Sequence, residues 1–237
     1  MKLLRILNDT GFPPRCPVCE QIVTPPGRGS ARHACRGSHF RPRPIVFRCG
    51  RTVPEEGEAY CHDCRGREKH FFAGFPLCDY DDVMQRAVTR IKYGNRREYV
   101  RPFAALLAER YGRELRALGA DCIVPVPVHP SRLRTRGFNQ AELFARELSV
   151  HLGIPVRTEF LSRTRKTEAQ KALTPDERIR NLTSAFTADL HGETVGTVIL
   201  ADDIYTTGST VEACSRALLA AGAGRVCFVS ICIVPEA

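Results

Sequence analysis

Two adjacent carboxylates, Asp202 and Asp203, stand between an apolar run and a turn of small hydroxyl-bearing residues. The apolar run, residues 198–201, has the length and β-branched content of a strand that is buried on both faces. Apolar residues at helical spacing follow the turn and stop near Gly222, which predicts a helix. Because a helix N-terminus presents unpaired N–H groups and the positive end of its dipole, this turn is suited to bind phosphate.

The residues of this segment, which we name the hydroxyl turn, fit that chemistry. They are Thr206, Thr207, Gly208, Ser209 and Thr210. The glycine allows the backbone to approach a ligand closely, and the four hydroxyls can donate hydrogen bonds. Since the two aspartates would repel a phosphate, we expect them to face a hydroxyl-rich group such as a ribose diol. The pattern indicates a ribose 5-phosphate site at a sheet edge; the plainer alternative is a solvated acidic turn between a strand and a helix.

The first third of the chain is rich in cysteine, with seven of the eleven cysteines before residue 79. In a cytosolic chain such clustering favours metal binding over disulfides. Two C-x2-C pairs, Cys16 with Cys19 and Cys61 with Cys64, have the spacing of zinc knuckles. The residues between the pairs cannot build a core, so a structural Zn2+ would be their main source of order. We expect a zinc-binding module over residues 1–75 and a second domain over residues 76–237.

Further cysteines leave the number of zinc ions open at one or two. Two ligand groups are compatible with the spacing: Cys16, Cys19 and Cys35 with His33, and Cys49, Cys61 and Cys64 with a fourth group. The alternatives are thiols without metal and a C-x-x-C redox pair, which the presence of two knuckles disfavours.

The chain carries a formal net charge of +9. Residues 1–75 hold 13 Lys and Arg against 7 Asp and Glu, so most of the excess lies there. Such a surface suits a polyanion, either nucleic acid or pyrophosphate, although ordinary solubility is an equal explanation. Residues 1–7 are too short and too charged for a signal peptide, and the longest apolar run falls far below the roughly 20 residues of a membrane span. We expect a cytoplasmic protein.

The middle of the chain alternates between helical and strand patterns. The predicted helices cover residues 79–93, 99–118 and 141–152, and the predicted strands begin near residues 122, 154, 197 and 225. This order predicts a mostly parallel α/β sheet flanked by helices. Lys92, at a helix end, and Arg136, in a basic loop over residues 127–136, could reach a pyrophosphate. The alternative is an ordinary solvated basic face.

A long charged segment, residues 163–176, has neither helical nor strand periodicity. Long charged loops inside a compact domain are usually functional, so we interpret this one as a lid over the site rather than a passive insertion. Its candidate ligand-facing residues are Arg163, Arg165, Lys166 and Gln170.

Together these segments resemble the ComF family, which joins a zinc module to a type I phosphoribosyltransferase domain and is tied to natural competence. The resemblance covers nearly the whole chain. It rests on Val124-Pro-Val-Pro, Arg136-Gly-Phe-Asn-Gln140-Ala, Thr167-x-x-Gln170-x-x-Leu173, Arg178-x-x-Asn181 and residues 198–210. The chain departs from the family pattern at Arg32 and Val46, where further C-x-x-C pairs would place cysteines.

The resemblance implies a type I phosphoribosyltransferase-like fold that binds 5-phosphoribosyl-1-pyrophosphate (PRPP) with Mg2+. Asp202 and Asp203 would hold the ribose hydroxyls, the hydroxyl turn the 5-phosphate, and the loop that contains Arg136 the pyrophosphate. The acceptor stays undetermined. A rival hypothesis is a single-stranded nucleic-acid-binding competence factor, with proteins of the competence machinery as partners, in which PRPP is only a regulatory ligand; a third is a structural scaffold.

Overall fold

The computed structural model describes residues 15–22, 48–51, 61, 63–65, 68–163 and 185–235. Its central element is a parallel sheet of four strands. They are β1 (Gly74–Asp79), β2 (Cys122–Pro125), β5 (Thr197–Tyr205) and β6 (Arg225–Ile233). The order across the sheet is β1-β6-β5-β2, and each neighbouring pair is parallel. Strand β5 is therefore central, with both edges hydrogen-bonded, as the apolar run at residues 198–201 predicts.

Helices cover both faces of the sheet. They are α1 (Asp82–Tyr93), α2 (Val100–Ala117), α3 (Pro130–Arg136), α4 (Gln140–Leu152) and α5 (Ser209–Ala220). On β5, Ile199 and Ala201 belong to the apolar cluster of α1, α2 and α4, whereas Val198 and Leu200 belong to the cluster of α5. This alternation of side chains along the strand builds two cores from one apolar run.

The helix boundaries follow from local capping chemistry. The Asp81 carboxylate accepts a hydrogen bond from the Met84 N–H at the start of α1. Asn139 caps α4 in the same way through the Ala141 N–H. Each bond satisfies an N–H group that has no partner inside its helix. The predicted helices over residues 79–93, 99–118 and 141–152 are confirmed with small shifts, the first because residues up to Asp79 belong to β1.

Two sequence predictions are wrong. The basic segment before Arg136 is the short helix α3 rather than a loop, because His129 caps it, Pro130 occupies its first turn, and Gly137 ends it with φ 75°. The strand predicted from residue 154 is only an isolated bridge between Ile123 and Val156.

A small second sheet pairs β3 (Leu161–Arg163) with β4 (Phe186–Ala188) in antiparallel register. It packs near α5, on the face of the main sheet where Val198 and Leu200 lie. Among the helices in the described ranges, none has the length and apolar character that crossing a membrane requires.

Candidate functional site

The acidic pair, Asp202 and Asp203, lies near the carboxyl end of β5, and the side chains are only 8% and 7% exposed. The Asp203 N–H donates a hydrogen bond of 2.8 Å to Oδ1 of Asp202. Strand alternation sends the two side chains toward opposite faces of the sheet. Asp203 accordingly forms an ion pair of 2.5 Å with Nζ of Lys92 at the end of α1. Lys92, predicted from the sequence as a pyrophosphate ligand, thus lies against the acidic pair.

Asp202 lies on the side of α5 and β3. Burial raises the pKa of its carboxyl well above the ordinary value, and the charge of Asp203 adds to that rise. Lys92 opposes the rise. Burial also lowers the pKa of Arg163 on β3, while the charge of Asp202 counteracts this change. The strand end therefore holds a carboxylate whose charge is costly until a cation or a hydrogen-bond donor approaches.

The hydroxyl turn connects the acidic pair to α5. Gly208 adopts φ 77° and precedes the first residue of the helix, and as a glycine N-cap it makes no side-chain capping bond. The Ser209 N–H donates only a long bond of 3.5 Å to Oγ1 of Thr207. The hydroxyls of Thr207 and Ser209 are 2.8 Å apart and hydrogen-bonded to each other. Thr206 and Thr207 are exposed, while Ser209 and Thr210 are half-buried. A helix N-terminus with a glycine N-cap and neighbouring donor hydroxyls is an arrangement suited to an anion; phosphate binding at this turn stays a prediction.

A buried tyrosine explains why residue 208 is glycine. Tyr205, the last residue of β5, is 1% exposed and its ring stacks on Phe228 at 4.7 Å between centroids. A Cβ atom at Gly208 would overlap the Tyr205 hydroxyl and ring. The positive φ and the tyrosine beneath the turn therefore both require glycine at this position.

A basic surface adjoins the acidic pair. Arg136 of α3 donates a hydrogen bond of 2.8 Å to the hydroxyl of Tyr93, and its guanidinium lies 4.9 Å from the centre of that ring. Tyr93 follows Lys92, so consecutive residues of α1 contact Arg136 and Asp203. Arg136 also lowers the pKa of Tyr93. The structure thus brings the two predicted pyrophosphate ligands to the same helix end.

The predicted lid is only partly described. Arg163 ends β3 and lies over the ring of Phe186 at 5.2 Å. The other predicted lid residues, Arg165, Lys166 and Gln170, fall outside the described residues. Arg163 and Asp202 interact electrostatically, which places the start of this segment beside the acidic pair.

Three cysteines form a buried cluster on the face of the main sheet that packs against α5. The sulfur atoms of Cys49, Cys61 and Cys64 all lie within 4.8 Å of one another, with Cys49 and Cys61 3.5 Å apart. Zn–S bonds of about 2.3 Å in a tetrahedron place sulfur atoms about 3.8 Å apart, so the donor set and its spacing fit a Zn2+ ion. This grouping is one of the two that the sequence predicts.

The cluster also stabilises a thiolate. Hydrogen bonds with Cys49 and Cys64 lower the pKa of Cys61, and the positive charge of Arg51 contributes. The contact with Cys61 raises the pKa of Cys49, although Cys64 opposes this rise, and the contacts with Cys49 and Cys61 raise the pKa of Cys64. One negative charge is therefore favoured among the three sulfurs, and a divalent cation would favour further ionisation.

The other predicted zinc ligands lie elsewhere or are not described. Cys16 and Cys19 belong to a small hairpin closed by a bridge between Arg15 and Ile22, with Cys16 buried and Cys19 exposed. They are not part of the three-sulfur cluster. Cys35 falls outside the described residues, so the ligand group of Cys16, Cys19 and Cys35 stays a prediction.

Arg51 is a site residue that the sequence analysis missed. It is 4% exposed and bridges the cysteine cluster to the hydroxyl turn. Its Nη1 atom lies 2.7 Å from Oδ2 of Asp63 and 3.9 Å from Sγ of Cys61, while Nη2 donates a 2.7 Å bond to the Thr206 carbonyl. One arginine in an arginine-rich segment has no local signal of this role.

Several named proteins are similar to this chain. DNA utilization protein YhgH of Salmonella typhi is 34% identical over 159 residues, covering 66% of this chain and 70% of that protein. Competence protein F of Haemophilus influenzae is 29% identical over 188 residues, covering 77% of this chain and 82% of that protein. Competence protein ComFC of Bacillus subtilis is 29% identical over 187 residues, covering 73% of this chain and 71% of that protein.

No protein-family model matches the chain. Among solved structures, a purine phosphoribosyltransferase from Pyrococcus horikoshii aligns with 53% of this chain and 70% of its own length, with a TM-score of 0.34 and 21% identity.

Proposed function

This chain belongs to the ComF family, and from that premise we propose that it is a phosphoribosyltransferase-like protein that binds PRPP at the carboxyl end of β5. One observation carries the proposal. Two buried carboxylates adjoin a helix N-terminus whose N-cap is a glycine, across a turn that a tyrosine and a positive φ restrict to that residue. A sugar phosphate offers hydroxyls to the first feature and an anion to the second.

In the proposed complex the 5-phosphate accepts hydrogen bonds from the backbone and hydroxyls of the hydroxyl turn. The ribose hydroxyls donate to Asp202 and Asp203. Lys92 would leave Asp203 and, with Arg136, bind the pyrophosphate, because that group carries more negative charge than a single carboxylate. A cation and a carboxylate that pair in the free protein would thus separate to bind opposite parts of one ligand.

Magnesium is the cofactor that the family resemblance implies. The buried carboxyl of Asp202, whose pKa is raised by burial and by Asp203, is suited to the field of a hard divalent cation. The acidic pair would provide the negative charge that attracts a magnesium-bound ligand, and the ion would supply charge neutralisation on the pyrophosphate. The described residues identify no acceptor, so the proposal extends to binding and leaves the group that receives the phosphoribosyl unit open.

A calorimetric titration with Mg-PRPP tests the binding. We expect wild-type protein to bind and the Asp202→Asn/Asp203→Asn variant to lose at least about 100-fold in affinity, because charge-assisted hydrogen bonds to the ribose disappear. Asp189→Asn is the control for the substitution type, since it removes one carboxylate charge from an exposed site after β4. Equal affinity of wild type and the double variant would overturn the proposal.

A pyrophosphate-release assay then separates an enzyme from a binder. Purine, pyrimidine and amine acceptors are each added to protein with Mg-PRPP. Release that depends on one acceptor supports a transferase, while binding without release supports a regulatory ligand.

We propose that the cysteine cluster holds a structural Zn2+ within an N-terminal module, residues 1–75, that packs on a domain over residues 76–237. The support is the burial and spacing of Cys49, Cys61 and Cys64. Strand β1 begins at Gly74, two residues before the proposed boundary, so the sheet starts close to the end of the proposed module. The fourth ligand would come from outside this cluster or from water.

A second candidate function is binding of single-stranded DNA, as part of a cytoplasmic competence machinery. Tyr93 is 69% exposed while Arg136 covers one face of its ring. An exposed aromatic ring among cations is the arrangement on which unpaired bases stack. The relatives named for DNA utilization and competence agree with this candidate. Fluorescence titration with an oligonucleotide across salt concentrations tests it, and undetectable or salt-independent binding would exclude it.

A further inference from the structure

Arg51 makes four contacts that join otherwise separate parts of the chain. Its two terminal nitrogens reach the Asp63 carboxylate and the Thr206 carbonyl, each at 2.7 Å. Its charge also lies 3.9 Å from Sγ of Cys61 and 5.9 Å from the centre of the Tyr205 ring. Burying a guanidinium is costly unless its donors are satisfied. The planar fork of arginine meets two acceptors at once, which a lysine cannot do with the same geometry.

The contact with Thr206 determines how the hydroxyl turn presents its backbone. In a trans peptide the C=O of one residue and the N–H of the next point in opposite directions. Because Arg51 draws the Thr206 carbonyl toward the cysteine cluster, the Thr207 N–H points away from that cluster. Reversal of this peptide would present a carbonyl dipole where the proposed phosphate needs a donor. The bond from Arg51 therefore favours the peptide orientation in which the Thr207 N–H is available to the proposed phosphate.

The position of Arg51 depends in turn on the cysteine cluster. Asp63 lies between Cys61 and Cys64 in the same knuckle, so a metal held by both sulfurs would fix the carboxylate that orients the guanidinium. Three thiolates with one Zn2+ carry a net charge of about −1, which favours a cation beside the cluster in addition to the ion pair of Arg51 with Asp63. The metal would therefore favour both the location and the burial of Arg51.

We propose that Arg51 is a positioning residue that couples metal binding at Cys49, Cys61 and Cys64 to the orientation of the Thr206–Thr207 peptide. This inference rests on the proposed phosphate role of the hydroxyl turn for its functional consequence. The coupling between metal and peptide orientation does not need that role. Metal loss would release Asp63, then Arg51, and then the carbonyl of Thr206.

The coupling is measured directly by the 15N–1H resonance of the Thr207 amide in ligand-free protein. Removing zinc with a chelator should shift this resonance in wild type, and Arg51→Met should produce the same shift with the metal still bound. Chelation of Arg51→Met should then cause little further shift, since the two changes break one pathway. Arg225→Met is the control, because Arg225 contacts the Leu118 carbonyl at the other end of the sheet.

Binding measurements test the functional consequence. Arg51→Met should weaken ribose 5-phosphate and PRPP by about 10- to 100-fold, the effect of losing a well-placed charge-assisted contact. It should leave the affinity for magnesium pyrophosphate unchanged, because that group is proposed to lie on Lys92 and Arg136. Arg51→Lys should restore part of the loss through a single donor to Thr206.

The outcomes separate the two proposals. If wild type binds none of these ligands but the Thr207 resonance responds to metal and to Arg51→Met, the coupling holds and the PRPP proposal fails. If PRPP binds but the Thr207 resonance shifts neither on chelation of zinc nor in Arg51→Met, Arg51 is not a positioning residue. Asp63→Asn provides a milder variant should Arg51→Met fail to fold: a metal-bound Asp63→Asn protein with an unshifted Thr207 resonance would also overturn the coupling.

Discussion

Arg51 contacts both the cysteine cluster and the hydroxyl turn that follows the acidic pair. The two regions are nevertheless held in place by different interactions. The acidic pair belongs to β5, a strand whose residues are buried on both faces, and the hydroxyl turn follows it, so the sheet positions both. The cysteine cluster, in contrast, is formed by Cys49, Cys61 and Cys64, and the contacts that join them are those between their sulfur atoms. The structure of the acidic pair and the hydroxyl turn should therefore depend mainly on packing and backbone conformation. The structure of the cysteine cluster should depend mainly on bound metal.

The largest effect should come from Cys61→Ser, which acts directly on the cysteine cluster. Removing a central ligand should abolish zinc binding at this site and cost more than about 3 kcal/mol of stability, since metal binding and folding of such modules are coupled. Metal content and thermal unfolding measure the change. Cys227→Ala is the control: Cys227 is a buried cysteine of β6 outside the cluster, so it should cost about 1 kcal/mol and keep the metal. A Cys61→Ser protein with full zinc content would contradict the assignment.

Next in size is Gly208→Ala, which acts on the hydroxyl turn. The new methyl group would meet the Tyr205 ring in a backbone with φ 77°, so we expect a loss of about 2–4 kcal/mol and weaker PRPP binding with zinc retained. Urea unfolding and calorimetry measure these effects.

Gly153→Ala is the matched control for that change. Gly153 has φ 75° and open space around the added atom, so it should cost only about 1 kcal/mol, the contribution of the backbone conformation alone. Equal losses for the two variants would show that the contact with Tyr205 does not restrict the turn.

Asp202→Asn should stabilise the protein, whereas the preceding variants destabilise it. Burial raises the pKa of Asp202 in the folded state, so its stabilising contribution is present below the unfolded pKa and is lost as pH rises through the folded pKa. The amide carries no charge and keeps an oxygen to accept the Asp203 N–H. Near neutral pH we expect Asp202→Asn to be more stable than wild type by about 1–2 kcal/mol.

The pH dependence provides the check on that prediction. The difference between Asp202→Asn and wild type should vanish near pH ~4, around the ordinary pKa of an aspartate, and grow toward neutral pH in urea titrations. Asp203→Asn should instead destabilise the protein, because it leaves Lys92 without its ion pair. A constant difference at every pH would mean that the Asp202 carboxyl does not titrate abnormally.

The smallest effect concerns the basic surface outside both regions. Tyr93→Ala should weaken single-stranded DNA binding by about fivefold, the contribution of one modest stacking contact, and leave zinc content and stability unchanged. Val150→Ala removes an equally exposed apolar side chain from α4 and should have no effect on DNA. Fluorescence titration at low salt measures both variants, and identical affinities would remove Tyr93 from the candidate DNA surface.

The two regions also differ in how far the sequence predicts them. Strand β5, the hydroxyl turn and α5 are contiguous, and their local signals agree: an apolar β-branched run, a glycine with polar neighbours, and helical spacing. The amino-acid pattern alone therefore suffices to place Asp202 and Asp203 at a strand end. The cysteine grouping is only one of two alternatives that the spacing allows, because residues 12 positions apart, such as Cys49 and Cys61, are brought together by the fold.

Other features have no local signal. Arg51 contacts Thr206, 155 residues away in sequence, and nothing in its own segment distinguishes it from neighbouring arginines. Strand β1 contains Gly74 and Pro76, which argue against a strand, but it lies at the sheet edge, where proline is tolerated. Helix α3 forms because of capping by His129 and Gly137, which outweighs its lack of an apolar face.

A crystal structure of the Mg-PRPP complex tests the central claim most directly. We predict the 5-phosphate against the N–H groups and hydroxyls of the hydroxyl turn, the ribose hydroxyls on Asp202 and Asp203, and Lys92 moved from Asp203 toward the pyrophosphate. The account would be contradicted by a complex at saturating ligand in which the turn holds no phosphate and Lys92 still pairs with Asp203.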